Sequence, residues 1–146
     1  MTIFSEINRS EIMKELTIEA KVDNLGEVTA FVDEILEAAD CSMKAQMQID
    51  VAVEELFVNV SNYAYGDSVG DVTIRISVED GNAAITLIDS GVPYDPLKKP
   101  DPDITLSAQE RAIGGLGIFM VKKSMDKMEY EYTDGKNVLT ITKKIS

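Results

Sequence analysis

The 146-residue chain has no histidine and a single cysteine. Without histidine this polypeptide cannot build a histidine-ligated metal centre, a Ser-His-Asp or Cys-His nucleophile system, or a phosphohistidine intermediate. One thiol, Cys41, excludes an internal disulfide. No stretch approaches the roughly 20 apolar residues of a membrane-spanning helix, and residues 1–10 lack the basic start and apolar run of a signal peptide. A cytoplasmic protein without membrane contact is therefore expected. Basic residues are also scarce: 14 Lys and Arg stand against 26 Asp and Glu, a net charge of −12. Such a surface repels phosphate backbones, so direct nucleic-acid binding is not expected. Any chemistry must run on carboxylates, amides, hydroxyls, lysines or a bound cofactor.

What is present suits a single domain over residues 1–146, with 45% hydrophobic and 27% charged residues. Leu16, Ile18, Ala20 and Val22 alternate with polar residues and predict a half-buried strand, leaving 1–14 as an N-terminal extension. Leu25, Val28, Phe31, Val32, Ile35, Leu36 and Ala39 recur at helical spacing and predict a helix ending near Asp40, with Asn24 and Glu27 placed for a capping box. A second helix is predicted over 43–65, with Ser42 as N-cap and a stripe of Ala45, Ile49, Ala52, Val53, Leu56, Val60, Tyr63 and Ala64. Val72, Ile74, Ile76 and Val78 then alternate, Asp80-Gly81 supplies a hairpin turn, and 83–89 returns as a strand apolar on both faces, hence central. A short helix over 118–125 and a closing hairpin about Asp134-Gly135 complete the chain. The sum is an α+β two-layer sandwich, a mixed, mostly antiparallel sheet with helices on one face.

Three places carry candidate chemistry. On the second helix, residues advance by about 100° each, so Glu55 and Asn59 lie about 40° apart and share a flank with Asn62, while Glu54 and Asn59 lie about 140° apart. An acid and two amides at the edge of an apolar stripe can share a cation or orient a hydroxyl, or simply form a solvated shoulder. Asp89 ends the buried strand, where a carboxylate needs donors, and Gly91 in the turn after it lets another group approach the backbone. An aspartate capping its own turn would look the same. Gly114-Gly115-Leu116-Gly117 opens the short helix and can present backbone N–H groups to a phosphate, or serve as a hinge. Between the last two, residues 92–113 show no sustained period, which predicts a functional lid.

Taken together, Glu55-Leu56-Phe57-Val58-Asn59, then Asp89-Ser90-Gly91-Val92-Pro93-Tyr94-Asp95-Pro96, then Gly114-Gly115-Leu116-Gly117-Ile118, resemble the N box and two glycine boxes of the GHKL ATPases. Within that superfamily the chain is most similar to the small bacterial anti-sigma factor serine/threonine kinases, to which Tyr63-Ala64-Tyr65-Gly66 and Gly135-Lys136-Asn137-Val138-Leu139-Thr140 add likeness. The similarity covers roughly Glu15 to Lys144. It implies a Bergerat-type ATP-binding fold with ATP and Mg2+ as cofactors. Asn59 would ligate the metal, Glu55 would act as general base, Asp89 would receive the adenine amino group and Gly91 would let the base lie against the backbone. Gly114, Gly115, Leu116 and Gly117 would line the triphosphate.

The implied function is phosphorylation of a serine or threonine on a STAS-type anti-anti-sigma protein, which frees this chain to sequester a sigma factor. Relatives of this branch commonly form homodimers. The alternative is a non-catalytic, ATP-gated protein-binding switch, and retention of Glu55 favours the enzyme. A detached histidine kinase domain is disfavoured by the missing histidine. The sequence departs from the superfamily pattern at Asn137, where a threonine near adenine is common; an amide can still bond a water or the purine. Tyr63 stands where some relatives carry a basic residue, which leaves Lys98, Lys99 and Arg111 as candidate partners of the phosphates or as solvated lid charges.

Overall fold

Alternating apolar residues on five strands build the inner face of one sheet, in a computed structural model that describes residues 11–98 and 115–146. The strands are β1 (Glu11–Glu19), β2 (Asp71–Glu79), β3 (Asn82–Asp89), β4 (Lys127–Thr133) and β5 (Lys136–Lys144), and the helices are α1 (Leu25–Ala38), α2 (Met43–Tyr63) and α3 (Gly115–Ser124). The strand order is β1-β2-β3-β5-β4, so β3 is central. Each of the four pairings is antiparallel, more uniform than the mixed sheet expected. Both hairpins close through Asp-Gly turns, Asp80-Gly81 and Asp134-Gly135, with φ positive at both residues as the strand twist favours.

Register aligns the buried side chains in rows. Leu16, Ile74, Leu87, Leu139 and Tyr130 face one another across the sheet, and the next row carries Ile18, Val72, Asp89, Asn137 and Tyr132. The first of these rows is apolar except for one phenol; the second turns polar at its centre. Val28, Val32, Ile35 and Leu36 of α1, Ile49, Val53, Leu56 and Phe57 of α2, and Ile118 and Val121 of α3 close over this inner face. The outer face is polar, with Thr17 bonded to Thr73 (2.9 Å) and Thr86 to Thr140 (3.0 Å) across strands. Among the described residues no helix is long and apolar enough to cross a membrane.

Local detail departs from the pattern in four places. β1 begins at Glu11 and stops at Glu19, so residues 11–14 belong to the sheet and Val22, 47% exposed, enters a single 3-10 turn. Lys14, opposite Ile76, interrupts the apolar alternation there, and hydrogen bonding to β2 carries the strand past it. The capping box does not form: the Asn24 amide instead donates to the Glu19 carbonyl at 2.9 Å and ties the 3-10 turn to the end of β1. At the start of α2, Ser42 accepts from the Ala45 N–H at 3.2 Å as expected. Tyr63 is 54% exposed rather than part of the buried stripe, whereas Phe57 is fully buried. α3 starts at Gly115 rather than at Ile118, because packing against α2 overrides the weak helix propensity of glycine.

The contact between α1 and α2 carries an unusual charge arrangement. Asp33 of α1 and Asp50 of α2 each bury an Oδ1 atom with no hydrogen-bond donor. Burial first, then the hydrogen bond and charge of Asp33 and the charge of Glu37, push the Asp50 carboxyl from its ordinary 3.8 up to about 7. The Cys41 thiol in the α1–α2 connection is pushed up as well, by burial and then by the charge of Asp50. The folded chain therefore keeps a proton on Asp50 that the unfolded chain releases between about pH 4 and pH 7, so stability falls as pH rises through that window. Asp50→Asn supplies a neutral group that can donate to Asp33. It should raise the melting temperature by a few degrees above about pH 7 and give little or no gain near pH 4. A melting series in which wild type and variant run parallel from pH 4 to pH 8 would contradict the raised Asp50 pKa.

Candidate functional site

The polar centre of the second sheet row is the floor of the site. Asp89 and Asn137 sit directly opposite on β3 and β5 and are 7% and 6% exposed. A carboxylate so buried requires donors. Its Oδ1 accepts from the Gly91 N–H (2.9 Å) and from the Asn137 Nδ2 amide (2.9 Å). Oδ2 has no hydrogen bond among the described residues, and Asp89 borders a cavity of about 50 Å³ lined by Leu56, Asn59, Val60, Leu87, Val92 and Leu139, with Tyr63, Tyr94 and Tyr130 around it. The arrangement is an apolar slot with one charged acceptor at its end. It has room for a few waters.

Asn137 does more for the protein than the sequence suggested. Its Nδ2 donates to Asp89 and to the Val92 carbonyl (2.9 Å), and its Oδ1 accepts from the Tyr94 N–H (3.1 Å) and from the Tyr130 hydroxyl. All four hydrogen-bonding positions of the amide are filled by the chain itself. The amide therefore has no position left for direct contact with a base. Burial raises the Tyr130 pKa; a hydrogen bond with the Tyr94 backbone offsets part of this, and the charges of Asp95 and Asp89 add to it, so this hydroxyl remains a proton donor near neutral pH.

Tyr65 is a second phenol that sequence reasoning passed over. Its hydroxyl accepts from the Ser90 N–H at 2.8 Å and donates to the Asp71 carbonyl at 2.5 Å, pinning the end of β3 to the start of β2 beside Asp89. Tyr130 was recoverable in part: a two-residue turn at Asp134-Gly135 fixes the β4–β5 register and places Tyr130 on the face of Asn137. No local pattern marks the long-range bonds of Tyr65.

Gly91 is fixed by the protein before any ligand is considered. A Cβ there would lie 2.2 Å from the Ala64 carbonyl oxygen, which accepts from the Val92 N–H at 2.9 Å. This close approach holds the glycine turn against the end of α2. Asn59, half-buried on α2, lines the cavity and has no hydrogen bond among the described residues. A single neutral oxygen donor suits Mg2+, which keeps most of its waters and takes phosphate oxygens. Among the described residues no cluster of three or more acidic or sulfur ligands forms a metal site of its own.

Glu55 lies one turn earlier on the same flank and borders a different concavity, a groove of about 790 Å³ between α2 and α3 lined by Met47, Val51, Glu54, Val58 and Met120. It packs against Gly117, where a Cβ would sit 1.9 Å from Oε1. Burial and then the charge of Glu54 push the Glu55 carboxyl above its ordinary value, in the direction of a stronger base at neutral pH. Gly115, Leu116 and Gly117 form the first turn of α3, so the backbone near Glu55 is a helix N-terminus. Asn59, Asp89 and Asn137 thus meet at one cavity, with Gly91 bonded to Asp89 beside it, and Glu55 meets Gly117 of α3 in the adjoining groove. Gly114, Lys99, Arg111 and residues 99–113 of the expected lid lie outside the described residues, while Lys98 is exposed at the end of a 3-10 turn over Pro96–Lys98.

Gly91→Ala tests the close approach alone. A backbone carbonyl at 2.2 Å cannot swing aside, so the substitution should cost about 1–3 kcal/mol of folding stability in urea titration. A variant as stable as wild type would show that the turn has room to move.

Comparison with known proteins fits this geometry. A family model for the histidine kinase-like ATPase domain matches residues 18–143. An anti-sigma F factor from Caldanaerobacter subterraneus subsp. tengcongensis is 28% identical over 127 residues, covering 87% of this chain and 89% of that protein. The serine-protein kinase RsbW of Listeria monocytogenes is 26% identical over 110 residues, covering 72% of this chain and 70% of its relative. The crystal structure of the RsbU and RsbW domains of Rv1364c from Mycobacterium tuberculosis shares the fold, with a TM-score of 0.65 and 16% identity over 92% of this chain and 32% of that one. With a buried acceptor at one end of a slot, an amide on the neighbouring helix, a glycine-started helix beyond it, and a family match over most of its length, the chain belongs to the histidine kinase-like ATPase domain family.

Proposed function

We propose that this chain is an ATP-dependent serine/threonine protein kinase and anti-sigma regulatory factor whose substrate is a serine or threonine of a STAS-type anti-anti-sigma protein. The observation that carries the proposal is the run of groups from the end of β3 along one flank of α2: Asp89, with one carboxylate oxygen that has no hydrogen bond among the described residues, Asn59 lining the same cavity, and Glu55 one turn away on α2 against Gly117 of α3. That sequence of acceptor, neutral oxygen ligand, helix N-terminus and basic carboxylate matches the ends of an adenine nucleotide in order. The names of its relatives, an anti-sigma F factor and a serine-protein kinase, support kinase and anti-sigma activity, and the STAS-type substrate is what the resemblance to the anti-sigma kinases implies.

In this assignment Asp89 Oδ2 accepts from the 6-amino group of adenine, and the apolar walls Leu56, Val60 and Leu139 take the ring faces. Asn59 holds Mg2+, which when bound neutralises charge on the phosphates. The backbone N–H groups at the start of α3 meet the phosphate oxygens. Glu55 accepts the proton of the substrate hydroxyl as its oxygen bonds to the γ-phosphorus and the bond from that phosphorus to the β–γ bridging oxygen breaks, releasing ADP. Phosphorylation then frees the chain to sequester its sigma factor.

The test is incubation of the protein with labelled ATP, Mg2+ and cognate STAS proteins, with transfer and nucleotide affinity measured together. Asp89→Asn should abolish ATP affinity while leaving the melting curve in place. Glu55→Gln should bind ATP nearly as well as wild type and transfer phosphate about 10²- to 10⁴-fold more slowly. Gly117→Ala, which forces the Glu55 carboxyl aside, should behave like Glu55→Gln. A wild type that binds ATP yet phosphorylates no STAS protein, with Glu55→Gln indistinguishable from it, would identify a non-catalytic switch instead.

A further inference from the structure

The last two strands carry a polar network that phosphate chemistry does not use. Asn137 Oδ1 takes the Tyr94 N–H and the Tyr130 hydroxyl, and Nδ2 gives its two protons to Asp89 Oδ1 and the Val92 carbonyl. The amide cannot be turned over. Exchanging its oxygen and nitrogen would set an NH2 group against the Tyr94 N–H and an oxygen against both the Val92 carbonyl and Asp89. The nitrogen is thereby obliged to face Asp89, and with the Gly91 N–H it fills one carboxylate oxygen, while the other has no hydrogen bond among the described residues and Asp89 lines the slot.

We infer that Asn137 and Tyr130 are positioning residues that hold Asp89 as a one-sided acceptor, and that they thereby set selectivity for a purine bearing a 6-amino group. This rests on the adenine-site reading of Asp89 given above. A carboxylate free to rotate could meet a ligand with either oxygen or recruit a water between itself and the base. Clamped through Oδ1, it offers a single oxygen in a fixed direction, so a base that presents hydrogen-bond donation there is favoured over one that does not. Tyr130 acts through Asn137 and does not itself need to touch the nucleotide. It also joins β4, at the sheet edge, to a decision made on the central strand.

Binding is measured by calorimetry for ATP and for purine riboside triphosphate, which differs only in lacking the 6-amino group. Wild type should prefer ATP by about 10- to 100-fold, the difference one charge-assisted hydrogen bond provides. Tyr130→Phe, which keeps the ring and removes only the hydroxyl, and Asn137→Ala should each lower that ratio about fivefold or more. Tyr132→Phe, which removes a hydroxyl from a 45% exposed residue on the same strand, should leave it unchanged. A merely structural loosening weakens both nucleotides alike and leaves the ratio where it was. If Asn137→Ala fails to fold, Tyr130→Phe alone decides. Wild type that prefers ATP, with Tyr130→Phe keeping the full ratio, overturns the clamp alone. Wild type that binds neither nucleotide overturns the adenine-site reading and the clamp with it.

Discussion

A carboxylate buried at the end of the central strand is the constraint on which the site depends. Asp89 takes the place that an apolar residue would hold in its sheet row, beside Val72 and close under Leu87. Removal from water has to be offset by donors. The chain supplies two, the Gly91 N–H and the Asn137 amide. Each then imposes its own condition: Gly91 must come within van der Waals range of Ala64, and Asn137 must be oriented by Tyr94, Val92 and Tyr130. The turn after β3, the end of α2 and the β4–β5 hairpin are all drawn in by one side chain.

Helix α2 acts as the ruler of the site. Its buried face anchors in the core through Ile49, Val53, Leu56 and Phe57, which fixes its rotation. The flank that carries Glu55 and Asn59 is thereby set along the mouth of the slot, with side chains one helical turn apart. α3 approaches this flank closely only because position 117 has no side chain. The same packing that brings the start of α3 to the site also desolvates Glu55, so geometry and basicity share one cause. On its opposite side α2 meets α1 through Asp33 and Asp50, where burial without donors pushes the Asp50 carboxyl up rather than building a second polar floor.

The element pattern was largely legible because it depends on near neighbours. Alternation in Asp71–Glu79 and Asn82–Asp89, the Asp-Gly turns and the Ser42 cap are local, and the structure follows them. Where local signals conflicted with pairing, pairing won: β1 runs through Lys14, and Asn24 bonds Glu19 rather than capping α1. Gly115 and Gly117 were expected to lead into the short helix at Ile118, yet both lie in the first turn of α3. Tyr65 and Phe57 matter through contacts remote in sequence, which no periodicity encodes.

The sequence by itself determined the fold class, the acid at the end of β3, the sharing of one flank by Glu55 and Asn59, and the glycine-rich start of α3, since each follows from spacing along one element. Tertiary structure decided which groups those residues meet. It split Glu55 from Asn59 into adjoining concavities, gave Gly91 a backbone neighbour and filled every hydrogen-bonding position of Asn137. It also set two acids against each other across α1 and α2. The physical reason is that hydrogen-bond satisfaction and desolvation depend on every atom around a group, and those atoms come from strands and helices far apart in the chain.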